Sequence, residues 1–87
     1  FITGMEDANN LVNIKLFPNP TSSIFSLNLT EDSYQLLIFD LNGKLVRNTT
    51  ARANHQEDVS DLENGIYFVQ IKNTNTKKSA FQKLVKI

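Results

Sequence analysis

The sequence has no cysteine and no tryptophan, three glycines and two prolines in 87 residues, and no apolar run approaching the ~18 residues of a membrane helix. Each shortage excludes something. Without cysteine there is no disulfide framework, so the core alone must stabilise the fold, and the redox argument about compartment disappears. Without tryptophan, and with most Phe and Tyr at positions that read as core, a stacking platform for sugars is missing. Net charge is zero, with nine basic and nine acidic residues, so no clustered basic face argues for nucleic acid. The mild exception is Lys72 to Lys86, which holds five lysines and no acid. No 3.6-residue apolar period occurs anywhere, which removes amphipathic helices.

What is present is a chain of short strands in one domain, since a chain of this size buries roughly 60–65% of its unfolded surface. The densest stretch is Gln35 to Arg47, where Leu36-Leu37-Ile38-Phe39 leads through Asp40 to Asn42-Gly43 and a second apolar run. A two-residue Asn42-Gly43 turn would set Asp40 against Leu45 and Ile38 against Arg47, which are poor cross-strand pairs. A type I turn from Asp40 with Gly43 left-handed pairs Asp40 with Lys44, Phe39 with Leu45 and Ile38 with Val46, and we expect that register. Both faces of Leu36–Phe39 are apolar, so this strand is expected to be central and covered on both sides.

Before it, residues 1–11 lack any period and read as a linker or cloning remnant, leaving 12–87 as the folded domain. The chain begins at Phe1 without an initiator Met or signal peptide and reads as a piece of something longer. Val12, Ile14 and Leu16 alternate with polar residues as a first strand. Phe17-Pro18-Asn19-Pro20-Thr21 stops it, because two prolines remove two backbone donors. Strand terminator and sandwich corner is the expected role of Pro18 and Pro20, rather than a polyproline ligand. Phe25, Leu27 and Leu29 mark a second strand. Beyond the hairpin, His55–Val59 is a poorly marked edge strand and Leu62 a lone apolar anchor. Asn64-Gly65 turns into Ile66–Ile71, with Tyr67, Val69 and Ile71 on one face and Ile66 and Phe68 on the other. Asn73–Thr76 is a polar turn, and in the last strand, Ser79–Ile87, Phe81, Val85 and Ile87 share a face. About seven strands with a turn every ten or so residues fit an antiparallel β-sandwich of immunoglobulin-like dimensions, with an open barrel as the competing architecture.

Chemistry is sparse. His55, Glu57, Asp58, Asp61 and Glu63 are the only cluster of metal-ligand residue types, but they lack the ligand order and glycine of a Ca²⁺ loop, and one His without Cys makes no structural zinc site. A solvated polar edge with turn caps is the expected reading. His55 has no nucleophile to serve, so neither catalytic residues nor cofactors are expected. Tyr67 is read as core, with its hydroxyl bonded to nearby backbone. Asp40, Gly43 and Gly65 are assigned to turn geometry. Asn28-Leu29-Thr30 and Asn48-Thr49-Thr50 match the glycosylation acceptor pattern, a match frequent by chance in a chain this rich in Asn and Thr.

The order of the motifs is more specific than any one of them. Phe-Pro-Asn-Pro-Thr at 17–21 is followed by Leu-Ile-Phe-Asp-Leu-Asn-Gly-Lys-Leu-Val at 37–46 and Leu-Glu-Asn-Gly-Ile-Tyr-Phe-Val-Gln-Ile at 62–71, and Gln-Lys-Leu-Val-Lys-Ile closes the chain. The series resembles the C-terminal sorting domains of cargo exported by the type IX secretion system of Bacteroidetes, over about residues 14–87. The departure is the fifth strand, where His55-Gln56-Glu57-Asp58 is more polar than the family pattern.

This resemblance implies an immunoglobulin-like sandwich of seven strands whose family motif residues here are Pro18, Asn19, Pro20, Asp40, Gly43, Gly65 and Tyr67. It implies a non-enzymatic signal that takes cargo from the periplasm across the outer membrane to the surface or medium. The implied partners are the outer-membrane translocon with its shuttle proteins and a sortase-like cysteine protease. That protease cuts within about Phe1 to Val12 and joins cargo to an anionic lipopolysaccharide. The part read by the machinery maps to Lys83, Leu84, Val85, Lys86 and Ile87. As an edge strand, that tail is expected to offer unpaired N–H and C=O groups for strand addition, with the Lys83 and Lys86 charges aiding capture. Pairing of two copies through their edges stays open. The alternative from another class is a β-sandwich module of a surface protein that binds carbohydrate or protein; a chain that stops at Ile87, after the Lys-Leu ending, is expected of the sorting signal.

Overall fold

The computed structural model describes residues 14–30 and 33–87. Seven strands follow one another: β1 (Leu16–Phe17), β2 (Ile24–Leu27), β3 (Tyr34–Phe39), β4 (Leu45–Ala51), β5 (Gln56–Asp58), β6 (Gly65–Asn73) and β7 (Ser79–Lys86). They form a three-stranded sheet in the order β1-β2-β5 and a four-stranded sheet in the order β4-β3-β6-β7, with every strand pair antiparallel. This is the all-β, immunoglobulin-like sandwich that the strand spacing predicts.

Alternation decides what is buried. Phe25 and Leu27 from one sheet share a core with Leu36, Ile38, Tyr67, Val69, Ile71 and Leu84 from the other, and Leu29 and Val59 belong to it too. Side chains two residues apart share a face, so each strand contributes every second residue to the core. Val12 and Asn13 lie outside the described residues. The first strand is shorter than its alternation suggests, and Ile14 packs against the core as a half-buried neighbour rather than as part of a ladder.

The hairpin turns as expected through Asp40. Gly43 donates its N–H to the Asp40 carbonyl at 3.0 Å, Asp40 N–H reaches Lys44 O at 2.9 Å, and Gly43 sits at φ +82°. The Asp40 carboxylate also accepts from the N–H groups of Asn42 and Lys44, both at 2.9 Å. Phe39 pairs with Leu45, but Ile38 pairs with Arg47 and not Val46. A β-bulge after Leu45 absorbs one residue, which places Val46 and Arg47 together opposite Ile38 on the inner face.

One expectation fails. β3 is central in its sheet, but only Tyr34, Leu36 and Ile38 are buried, while Leu37 and Phe39 are half-buried on the outer face. A sandwich has two layers, and no third one covers that side among the described residues. Apolar residues on both faces therefore read correctly as a central strand and incorrectly as a strand covered twice.

Candidate functional site

The C-terminal tail meets a segment far from it in sequence. Pro18 and Pro20 both follow cis peptide bonds and both are exposed, and the chain between β1 and β2 runs along the free side of β7. The Asn19 amide stands in for a backbone unit there: its Nδ2 donates to Lys83 O at 2.6 Å, and Val85 N–H donates to its Oδ1 at 2.9 Å. Thr21 continues the same line as a parallel bridge. Its N–H donates to Val85 O and its carbonyl accepts from Ile87 N–H, each at 2.9 Å. Gln82 Nε2 reaches Ile14 O at 3.2 Å just before it.

The outward backbone groups from Lys83 O to Ile87 N–H are thereby occupied, so the expected open edge for strand addition is closed at this end of β7. The physical reason is the one that motivated the expectation. Unpaired edge groups are costly to leave unprotected, and here the chain covers its own. The same contact closes this stretch to pairing between two copies.

Within the tail, orientation splits the five residues. Leu84 has no exposed surface and Lys86 keeps only 6% of its own, whereas Lys83 and Ile87 are exposed and Val85 is half-buried. Lys86 therefore offers no free charge to a partner; its Nζ donates to the main-chain oxygen of Ile87 at 3.3 Å. β7 alternates opposite Gly65 and Tyr67 of β6, which turns even-numbered residues inward. Phe81, Val85 and Ile87 do share a face, and it is the outer one.

Asn19→Ala should lose about 1–2 kcal/mol of stability, from two hydrogen bonds of ~1 kcal/mol each. Hydrogen exchange at the Val85 amide checks it; protection equal to the parent's would refute the clamp.

The remaining motif residues sit in the turns and the core. Tyr67 is buried and its hydroxyl donates to Glu63 O at 2.7 Å, the expected core role with a backbone partner. Gly65, at φ +153°, opens β6 in a conformation that side chains rarely adopt. A shallow cleft of about 230 Å³ lies between the β3–β4 turn and the start of β6, lined by Asp40, Leu41, Asn42, Glu63, Asn64, Gly65, Ile66 and Tyr67. Two of its polar groups are engaged: the Asp40 carboxylate holds the turn and the Tyr67 hydroxyl donates to the Glu63 carbonyl.

The acidic cluster is drawn to Arg47 rather than to a common point. Among the described residues, no group of three or more His, Cys, Asp or Glu side chains converges as ligands would. Glu57, expected on a solvated edge, instead turns inward from β5 and is buried. Arg47 from β4 donates to Glu57 Oε2 at 3.1 Å and to Asp61 Oδ1 at 2.7 Å, and His55 Nε2 lies 2.8 Å from Glu57 Oε1. This seam joins the two sheets at the β4–β5 margin, as the Asn19–Thr21 clamp joins them at the β1–β7 margin. The polarity of His55–Asp58 thus has a partner that sequence reading missed; the signal was Arg47, the single cation of β4.

Asp58 points outward. The Ser60 hydroxyl and then its N–H, the latter at 2.9 Å, hold its carboxyl below the usual carboxylate range; slight desolvation opposes this and the Arg47 charge adds to it. A carboxyl depressed by folding contributes stability above its unfolded value, near 4, and loses it as pH falls through the folded value. Ser60→Ala should move the Asp58 titration upward in a carbon-detected NMR experiment; an unmoved midpoint would contradict this assignment.

The fold and these seams define an immunoglobulin-sized β-sandwich whose distinctive feature is how its last strand is held and displayed. The chain belongs to the secretion system C-terminal sorting domain family, whose model matches residues 15–87. It is a sorting signal of the type IX secretion system, and such a signal takes its cargo to the cell surface or out of the cell. Domains of this family are not known as enzymes, and the adhesion-module alternative is not favoured. The chain is also similar in structure to PorZ of Porphyromonas gingivalis, described as an essential bacterial surface component of the type IX secretion system. The TM-score is 0.69 at 18% identity, over 92% of this chain and 12% of that one. At that identity the likeness concerns the fold alone. No curated protein matches the sequence.

Proposed function

We propose that residues 12–87 are a detachable, non-catalytic address. In this reading the outer-membrane translocon and shuttle proteins read the tail after cargo reaches the periplasm, and a sortase-like cysteine protease then removes the domain by cutting within Phe1 to Val12. The observation that carries it is the family match over nearly the whole sandwich, combined with a tail held rigid by the Asn19–Thr21 clamp. Lys83, Val85 and Ile87 are the tail side chains a partner can touch. Leu84 and Lys86 serve recognition indirectly, by anchoring the strand.

Deleting Lys83–Ile87 is a poor test. It strips Leu84 from the core and removes the clamp's partners, so unfolding and lost recognition would look alike. Lys83→Ser with Ile87→Ser changes only exposed side chains. Residues 11–87 fused to a fluorescent protein in a type IX-competent bacterium should reach the surface or medium, and the double variant should stay behind while melting like the parent. Undiminished export of the double variant would refute tail recognition; periplasmic retention of the parent fusion would refute the sorting assignment.

A further inference from the structure

The outer face of the β4-β3-β6-β7 sheet is the largest feature that the sorting assignment leaves unexplained. The registers put Leu45, Phe39 and Phe68 in one row with Lys83, and Leu37 and Gln70 in the next with Phe81. Ile66 and Val85 form a third pair beside them. Leu45, Ile66, Phe68 and Phe81 are all exposed, and Phe81 keeps 62% of its surface. A monomer's few large apolar patches tend to be functional, and a contiguous stripe of aromatic residues is the kind that marks an interface. The stripe crosses strands whose backbone groups are paired in the ladder, so nothing can add there as a strand. A partner must bind through side chains.

Charge decides which partner. The face carries Lys72 and Lys83, opposite Gln35 and Phe68, and no described acid. Among the described residues neither ammonium is in an ion pair. Two copies packed through this face would set cations among cations with no acid among the described residues of the face to neutralise them, which disfavours a homodimer. The face is the flat side of a sheet, and the cleft at the turn end shares only Ile66 with the stripe. We propose that this face docks a protein surface with an apolar stripe bordered by Asp or Glu carboxylates, through contacts separate from the clamped backbone edge. The proposal deepens the sorting reading by assigning one partner of the signal to this face.

The test places a photo-crosslinking phenylalanine analogue at position 81, and as a control at exposed position 56 on the other sheet, in residues 1–87 fused to a fluorescent reporter in a type IX-competent bacterium. The expected result is one protein adduct from position 81 and none from 56. The adduct should fall about tenfold or more in the Lys72→Glu/Lys83→Glu variant, because like charges at an interface cost several kcal/mol. Thermal melting of that variant should match the parent, since both lysines lie on the outer face. An adduct of two copies, a lipid adduct, equal labelling from position 56, no adduct, or an adduct indifferent to charge reversal would each overturn the proposal. The two readings fail separately: a parent fusion retained in the periplasm sinks the sorting reading, while the adduct at position 81 still decides the docking face.

Discussion

Phe25→Ala is expected to bring the domain to the edge of unfolding at room temperature. Phe25 has no exposed surface and sits on β2, the strand that pairs with both neighbours in the smaller sheet. Its ring is the largest fully buried aromatic group that this sheet sends into the core. Truncating a buried Phe costs about 3–5 kcal/mol, the sum of lost transfer energy and the cavity left behind. Domains of this size are stable by only about 5–10 kcal/mol, and this one has no disulfide to limit its unfolded ensemble. Urea denaturation reads the effect as a large drop in midpoint at an unchanged slope. A loss below about 1 kcal/mol would mean that the two sheets do not share the core described here.

The second large effect concerns the β4–β5 seam. Arg47→Met should cost about 2–3 kcal/mol, because Glu57 keeps its burial and loses the cation that compensates it. The figure is placed below the range for a fully buried pair, since the Arg47 side chain keeps 23% of its surface and Glu57 10%. Asp61, 70% exposed, contributes little, as exposed ion pairs do. The companion variant separates charge from shape. Arg47→Met with Glu57→Leu removes both charges and fills the same space, so most of the lost stability should return. A double-mutant cycle measures the coupling. If the double variant were as unstable as the sum of the singles, the seam would owe its contribution to packing, and the electrostatic account would be wrong.

These two positions also separate what was legible from what was not. Phe25 could be read as core from its alternation with Leu27 and Leu29, and Tyr67 from its place after a Gly turn in an alternating strand. The Asp40–Gly43 turn followed from local backbone chemistry, and the structure departs from the expected pairing only where a bulge intervenes beyond it. Glu57 was misread because nothing within its own strand explains a buried carboxylate; its cation comes from Arg47 on the other sheet. The edge of the tail and its Lys86 were misread for the same reason. Period-two alternation says that Leu84 and Lys86 share a face but not which face is inside, and Asn19, which closes the edge, lies 64 residues from Lys83.

The sequence alone therefore determined the strands, their turns, their number and the family, because those follow from side-chain period, the φ freedom of a glycine and the order of short motifs. Tertiary structure alone decided which apolar face is covered, which lysine is swallowed and which edge is closed. Those outcomes depend on what lies across a 10 Å layer gap or beside a strand's last hydrogen-bonding groups, and no local period encodes a neighbour so distant along the chain.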